Sequence, residues 1–339
     1  MVSAGTDALV PALLRHLRAH EPAIDAVEAL RPVTTGASQE IWTFDACRAA
    51  GTREARVLRR ARVWSRDSQA MSAGMPAEAA LLRLAGRHGV PVPTVFSELA
   101  DDEGLGAGYV MAHVAGETAG PRILREPALV AAHGQLLQDC AAALARLHAI
   151  APAALPPLRE GQAAEELRHW AQAHAANRTA RPVFTLALRW LEAHRPPAVP
   201  PVLVHGDLRT GNLVVGPEGL RAVLDWELAH RGDPMEDLGW FCVNAWRFGA
   251  TQRPAGGFGT REQLFAAYEA AGGAPVDPQR VRFWEVLGNL KWGVTCDAMG
   301  LAWRSGQDRR IERLAIGRRA TEVEADLLQL IAPGGAVSS

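Results

Sequence analysis

Residues 204–212 read Val-His-Gly-Asp-Leu-Arg-Thr-Gly-Asn, and residues 223–226 read Val-Leu-Asp-Trp. The first stretch holds Asp207 and Asn212 five residues apart in a loop with glycines, and Asp225 ends an apolar run thirteen residues further on. A phosphoryl-transfer site needs a group that orients the acceptor hydroxyl and oxygen ligands for a metal. The spacing therefore predicts that these two stretches form such a site together.

The chemistry of the three side chains predicts a role for each of them. Asp207 is the candidate base that accepts the proton of an acceptor hydroxyl. Asn212 offers a neutral amide oxygen to Mg²⁺, and Asp225, at the end of a short predicted strand, offers a carboxylate that links the metal to phosphates. The simpler alternative for all three is local hydrogen bonding within turns.

Length and composition limit the classes of protein that need to be considered. The chain has 339 residues, 48% hydrophobic and 22% charged, which is typical of a folded protein with two modest domains or one large one. A net charge of -1 gives no electrostatic basis for nucleic acid or an anionic membrane as the main partner. The four cysteines are scattered without a CxxC pair, so we expect a cytoplasmic protein. Nothing in the sequence indicates the oligomeric state.

Only one of the 36 basic residues, Lys291, is a lysine. It lies in Asn-Leu-Lys-Trp at 289–292, without a following Ser or Thr and without glycine-rich spacing before it, so a Walker A loop is excluded. The glycines of residues 104–108 lack GxGxxG spacing and precede a predicted strand, which excludes a Rossmann dinucleotide site. A GxSxG elbow of the serine hydrolases is also missing.

Hydrophobic periodicity predicts two parts of different character. The pattern indicates a helix within residues 1–24, and a small α+β domain over residues 25–114 whose strand-like pattern begins at Arg31. Residues 115–332 are predominantly helical, and residues 333–339 are predicted to be a disordered tail.

The motif His205-Gly206-Asp207-x-x-x-x-Asn212, followed by Leu-Asp-Trp-Glu-Leu-Ala-His-Arg-Gly-Asp-Pro-Met-Glu-Asp-Leu at 224–238, resembles the aminoglycoside-phosphotransferase family of protein-kinase-like enzymes. The Trp-Glu-Leu-Ala form, with 288–293 and 317–319 downstream, is most similar to the branch that includes the kinase-like domain fused to acyl-CoA dehydrogenases. The resemblance covers about residues 25–330. It implies an α+β fold with a small antiparallel-sheet lobe and a larger helical lobe. It also implies Asp207 as the base, Asn212 and Asp225 as Mg²⁺ ligands, and a structural role for Asp237 beneath the catalytic loop.

The resemblance further implies that the N-terminal lobe covers ATP. Its phosphate-facing hairpin would be residues 35–39, with Gly36 and Ser38, although one glycine is equally consistent with a plain hairpin turn. The linker between the lobes would be residues 111–114, where the backbone of Met111 and His113 would meet the adenine edge.

The family's phosphate-holding lysine is matched in this chain by Arg59, with Arg60 as the alternative register. Arginine is always charged and binds phosphate bidentately, but its planar fork is not equivalent to an ammonium group. Glu78, on the following helix, would hold Arg59 in an ion pair, and a solvent-facing glutamate is the alternative.

The acceptor site is expected in the helical lobe. Glu227 is equally consistent with a structural acid beside Asp225, and Lys291 with a residue that extends to solvent. The candidates for contact with the acceptor are Glu227, Arg231, Asp233, Trp246, Lys291 and Trp292.

The predicted partner is a small hydroxylated molecule. Residues 158–194 are mixed in charge, with many Arg and His residues, which disfavours a polycationic antibiotic, and the resemblance favours a hydroxy acid or a hydroxyacyl-CoA. The alternatives are an aminoglycoside or macrolide phosphotransferase, a non-catalytic nucleotide-binding pseudokinase and a metal-dependent hydrolase.

Overall fold

The computed structural model describes residues 3–33, 39–49, 51–61, 71–99 and 104–332. In the N-terminal part, an antiparallel sheet has the strand order β1-β2-β3-β5-β4. Its strands are β1 (Ile24–Pro32), β2 (Gln39–Arg48), β3 (Arg53–Ala61), β4 (Val95–Leu99) and β5 (Gly108–Ala112). Helices α1 (Ser3–His20) and α2 (Met75–Arg87) belong to this part. The predicted tail 333–339 lies outside the described residues.

Strand β1 begins at Ile24, seven residues before the strand-like pattern predicted from Arg31. It is an edge strand in which Ile24 and Val27 are buried, while most of its other residues are not. Its pairing with β2 is irregular around Ala29, which adopts a left-handed conformation with φ of 53°. Because of this irregularity and partial burial, the alternation of apolar and polar residues that identifies a strand is weak here.

The two faces of β3 lead to different surroundings. Successive side chains of a strand point to opposite faces. Leu58 packs with Leu13 and Leu17 of α1 on the outer face, and Arg60 pairs there with Glu40. Arg59 points to the inner face, where α2 and the rest of the molecule lie.

The C-terminal part is mostly helical. Helix α10 (Pro278–Arg304) lies at its centre and packs against α6, α7, α8, α11 and α12. It begins at Pro278, and the side chain of the preceding residue, Asp277, caps backbone N–H groups of the first turn. The other helices are α3 (Gly120–Ile123), α4 (Pro127–Val130), α5 (His133–His148), α6 (Ala163–Asn177), α7 (Pro182–Ala193), α8 (Pro234–Phe241), α9 (Arg261–Ala270), α11 (Ile311–Arg318) and α12 (Ala320–Ile331).

Short strands bring the two quoted stretches together. The remaining strands are β6 (Glu160–Gly161), β7 (Val202–Val204), β8 (Leu213–Gly216), β9 (Gly219–Val223) and β10 (His230–Gly232). Strands β8 and β9 form a hairpin that pairs Leu213 with Val223. The backbone N–H of Leu224 donates to the carbonyl of Asn212 at 2.8 Å. Asn212 and Asp225 therefore lie side by side at the open end of this hairpin.

These elements confirm the predicted α+β architecture of a small antiparallel-sheet region and a larger helical region. Among the residues that the structure describes, no helix is both long enough and apolar enough to cross a bilayer.

Candidate active site

The loop that follows β7 is held from below by the buried carboxylate of Asp237. This carboxylate accepts the backbone N–H groups of His205 at 2.8 Å and Gly206 at 2.9 Å, and Nε2–H of His148 at 3.1 Å. Burial raises the pKa of Asp237, but the hydrogen bond and charge of His148 outweigh it and hold this pKa below its usual value. Gly206 has φ of 75°, and a Cβ there would lie 2.6 Å from the carbonyl oxygen of Leu228, so glycine is required.

Three donors orient the carboxylate of Asp207. Oδ1 accepts Nε1–H of Trp240 at 2.9 Å and Nε–H of Arg209 at 3.2 Å, while Oδ2 accepts Nδ2–H of Asn212 at 2.7 Å. The side chain remains 11% exposed. Asp207 is therefore fixed in orientation while part of its surface stays accessible.

Asn212 and Asp225 present oxygen atoms next to this carboxylate. Asn212 uses Nδ2 for both of its hydrogen bonds to Asp207, so its amide oxygen is directed away from that residue. Asp225 adopts a left-handed conformation with φ of 65° at the end of the β8–β9 hairpin, and its side chain is 29% exposed. An amide oxygen beside a carboxylate fits Mg²⁺, which prefers hard oxygen ligands.

Arg59 joins the N-terminal sheet to this site. Its Nη2 lies 2.6 Å from Oδ1 of Asp225, and its Nε lies 3.0 Å from Oε2 of Glu78. Burial disfavours the charged guanidinium, but Asp225 and Glu78 outweigh it and keep the pKa of Arg59 above its usual value. Burial also raises the pKa of Asp225, and the charge of Arg59 reverses that effect and lowers it. The predicted ion pair between Arg59 and Glu78 is present, and Arg60 points to the opposite face.

Gln39 and Glu227 form a second connection between the two parts. Nε2 of Gln39 lies 3.0 Å from Oε1 of Glu78 and 3.0 Å from Oε2 of Glu227. The carbonyl of Glu227 also accepts the N–H of Ala73 at 2.8 Å. Glu227, which was predicted to contact the acceptor, therefore faces the N-terminal part. Gly36 and Ser38 of the predicted phosphate hairpin lie outside the described residues.

The predicted adenine linker is tied into the sheet. Met111 is buried in β5 between Val57 of β3 and Val95 of β4. The N–H of His113 donates to the carbonyl of Ala55 at 3.1 Å. A backbone contact of His113 with adenine is therefore limited to its carbonyl group.

Three other predicted acceptor contacts are occupied by interactions within the protein. Arg231 lies on β10 and pairs with Glu160 at 2.9 Å. Asp233 is 1% exposed, caps α8, and accepts Nε1–H of Trp284 at 2.7 Å. Lys291 is buried and donates to the carbonyl of Gly206 at 3.0 Å. Lys291 therefore lies beneath the loop that follows β7. Arg231 and Asp233 are held by contacts within the protein.

Sequence reasoning did not identify Trp240 and Arg209 as residues of this site. Trp240 follows Asp237 by three residues on α8, a spacing that puts both on one face of a helix.

The Trp240 ring contacts Trp246 at 5.1 Å between centroids, and Trp246 contacts Trp292 at 4.9 Å. We call these three rings the tryptophan row. A cation lies over each ring: Lys291 at 4.3 Å, Arg209 at 4.6 Å and Arg319 at 5.6 Å from the respective centroids.

A cavity of about 220 Å³ lies at the Trp292 end of the row. Phe248 on its wall has φ of 44°, which is unusual for a bulky residue and is often found at ligand sites. The walls include Asn244, Phe248, Thr251, Trp292, Arg319 and Asp326.

Known proteins resemble this chain in sequence. A model of the phosphotransferase enzyme family matches residues 30–284. Acyl-CoA dehydrogenase family member 10 of Mus musculus is 30% identical over 177 residues, which are 48% of this chain and 16% of that protein. Acyl-CoA dehydrogenase family member 11 of Gallus gallus is 33% identical over 162 residues, 44% of this chain and 20% of that protein. The chain thus spans at most a fifth of the length of these relatives.

Solved structures of low sequence identity share the fold. A choline/ethanolamine kinase family protein from Mesorhizobium loti superposes with a TM-score of 0.63 at 20% identity, covering 98% of this chain and 96% of that one. A spectinomycin phosphotransferase in complex with ADP and spectinomycin has a TM-score of 0.64 at 11% identity, covering 94% and 98%. These matches confirm the predicted two-lobed, kinase-like fold.

We expect Asp237→Asn to lower the free energy of unfolding by about 2–4 kcal/mol, because one buried backbone N–H then faces another donor. Urea unfolding measures this change. Asp308→Asn is the matched control, since Asp308 pairs with Arg310 and Arg313 at the surface and should change stability by less than about 1 kcal/mol. Equal effects of the two variants would contradict the role of Asp237.

Because the pKa of Asp237 is lowered in the folded state, its charge stabilises the folded protein at pH values above its unfolded pKa of about 3.9. This stabilisation is lost as the pH falls through the lower folded pKa.

Proposed function

The chain belongs to the phosphotransferase enzyme family, and on that premise we propose that it transfers the γ-phosphate of ATP to a hydroxyl group of a small molecule. The observation that carries this proposal is the convergence of Asp207, Asn212, Asp225 and Arg59 at one site from separate parts of the fold. Separate metal, base and phosphate-binding groups are what such a transfer requires. A purely structural role would not explain this concentration of buried polar groups.

Asp207 is the proposed base. Its donors Trp240 and Arg209 on one oxygen, and Asn212 on the other, keep the carboxylate in a single orientation. An acceptor hydroxyl at its exposed edge would be oriented for attack and would give up its proton to this carboxylate.

Asn212 and Asp225 are the proposed ligands of Mg²⁺. The amide oxygen of Asn212 and the carboxylate of Asp225 would hold the ion, which when bound neutralises charge on the phosphates. The spectinomycin phosphotransferase of the same fold was crystallised with ADP, which supports a nucleotide at the equivalent cleft. The proposed N-terminal lobe, residues 25–114, would cover that nucleotide above a lobe of residues 115–332.

Arg59 is the proposed phosphate-binding cation. Glu78 holds it from behind, and its Nη2 already meets an anion, Asp225, at the position where phosphates would approach. The guanidinium presents several donors in a fixed fork, which suits phosphate oxygens. The absence of a lysine at this position therefore gives little support to the alternative of a non-catalytic nucleotide-binding pseudokinase.

The proposed acceptor is a hydroxy acid or a hydroxyacyl-CoA that extends from Asp207 along the tryptophan row. Arg209 lies over Trp246 beside Asp207, and Arg319 lies over Trp292 on the wall of the 220 Å³ cavity. Each of these cations also pairs with a carboxylate, Arg209 with Asp207 and Arg319 with Glu322, so the tryptophan rings offer contact to an apolar portion of the acceptor rather than a net positive charge. The names of the two curated relatives, acyl-CoA dehydrogenase family members, point to the same class.

A screen of acceptors tests this proposal. We expect hydroxy acids or hydroxyacyl-CoAs to increase the release of ADP from Mg·ATP at least about tenfold over the rate with water. Only a hydroxyl that is bound next to Asp207 is held in the orientation for attack and can give its proton to this carboxylate. Choline-like alcohols, aminoglycosides and macrolides are the comparison compounds. Activity with antibiotics alone would overturn the proposed acceptor class, and phosphate release from phosphoesters without ATP would identify a hydrolase.

We expect Asp207→Asn to reduce phosphotransfer by about 10²–10⁴-fold, the usual effect of losing a general base, while Mg·ATP still binds. The rate is measured with the best acceptor of the screen, and nucleotide affinity by calorimetry. An unchanged turnover would remove Asp207 from the role of base.

We expect Arg59→Ala to weaken ATP binding by about 10–100-fold, because a charged hydrogen bond to phosphate is lost, and Arg59→Lys to retain part of the affinity. Arg60→Ala is the matched control, since Arg60 pairs with Glu40 on the outer face of the sheet. Calorimetric titration of each variant measures the change. If Arg60→Ala has the larger effect, the phosphate-binding residue has been misidentified.

A further inference from the structure

Lys291, the only lysine of the chain, lies beneath the catalytic loop with 8% of its surface exposed. Its Nζ donates to the carbonyl of Gly206 at 3.0 Å and lies 4.3 Å from the ring centroid of Trp240. We infer that Lys291 is a positioning residue for Asp207 that acts through Gly206 and Trp240. This inference rests on the proposed role of Asp207 as the base.

Two routes lead from the ammonium group to the same carboxylate. Gly206 precedes Asp207 directly, and its N–H is held by Asp237 at 2.9 Å while its carbonyl is held by Lys291. The N–H of Gly206 is therefore held by an anion and its carbonyl by a cation. On the second route, the cation lies over the Trp240 ring, whose Nε1–H donates to Oδ1 of Asp207 at 2.9 Å.

The packing of α8 against α10 gives the tryptophan this place. A Cβ on Gly288 would lie 3.1 Å from Cε3 of Trp240, and a Cβ on Gly239 would lie 2.7 Å from the backbone N of Glu285. The two glycines allow the helices to approach closely. Trp240 therefore packs close to α10, and Lys291, three residues beyond Gly288, lies over its ring.

Two carboxylates lie near the buried ammonium group of Lys291. Glu166 and Glu236 line a cavity of about 10 Å³ together with Lys291, which is room for about one water molecule. Burial raises the pKa of Glu166, but His230, Arg159 and Lys291 together lower it. Glu236 lies 3.0 Å from His230, and Glu166 pairs with Arg159. The ammonium is thus compensated by nearby charge while it donates to Gly206.

This location also separates Lys291 from an acceptor. A 10 Å³ cavity does not admit a hydroxylated metabolite, and the ammonium is already directed at a backbone carbonyl. The residue therefore acts on the orientation of the base rather than on the binding of substrate.

The kinetic test compares Lys291→Met with Arg282→Met. Arg282 is a matched control on the same helix, because it also donates to a backbone carbonyl, that of Leu330, and lies over a ring, Trp190, but away from the loop. We expect Lys291→Met to lower kcat about 10–100-fold with the KM for ATP changed by less than about threefold, since a displaced base slows the transfer step only. Lys291→Arg should recover most of the loss, and Arg282→Met should match the wild type.

A double substitution tests the route through the indole. Trp240→Phe keeps a ring but removes the N–H, and we expect its loss of kcat to combine less than additively with that of Lys291→Met, because both act on one carboxylate. If the two losses of kcat are fully additive, Trp240 does not connect Lys291 to Asp207.

An independent readout uses the single lysine. Protein labelled with ¹⁵N at lysine Nζ has one side-chain ammonium signal, and we expect this signal to exchange slowly with water, to shift in Trp240→Phe and to stay unchanged in Arg282→Met. Thermal unfolding of each variant separates loss of the fold from loss of positioning. An active wild type in which Lys291→Met keeps its kcat would overturn the inference alone, whereas a wild type inactive with water and every acceptor would overturn the proposed function as well.

Discussion

The rest of the site depends on the hydrogen bonds that the buried carboxylate of Asp237 accepts. The loop after β7 needs partners for backbone groups that it does not pair within itself, and here one anion accepts two of them, the N–H groups of His205 and Gly206. Because this anion is buried, it needs a compensating partner, which His148 on α5 provides. The geometry of the loop is thus connected directly to the core of the helical lobe.

Charge at this site is balanced across distant segments. Arg59 from the sheet meets Asp225 from the β8–β9 hairpin, and Lys291 from α10 meets the carbonyl of Gly206. Each buried cation is held by an acceptor in the proposed site or directly next to it, Asp225 for Arg59 and the carbonyl of Gly206 for Lys291. An arginine between Glu78 and Asp225 therefore connects both lobes, and in a chain with a single lysine it is the cation proposed to bind phosphate.

Local pattern predicted much of the architecture, and its failures have physical causes. Strand β1 was placed too late because an irregular edge strand with few buried residues lacks clear alternation. For Glu227 the sequence was equally consistent with an acceptor contact and with a structural acid, and its side chain lies toward Gln39 of the sheet, 188 residues away in the chain. Trp240 was missed because a tryptophan on an apolar helix is normally core, and its hydrogen bond to Asp207 depends on the packing of two helices.

By itself the sequence determined the types of group and their spacing: a loop with Asp207 and Asn212, a strand end with Asp225, and a single lysine on a predicted helix. These are properties of short segments, where geometry follows from local chemistry. Only the tertiary structure decided that Arg59 rather than Arg60 faces the cleft, and that Lys291 supports the loop instead of meeting the acceptor. The reason is physical: the face of a strand that is buried, and the partner of a buried charge, are set by packing between segments far apart in the chain.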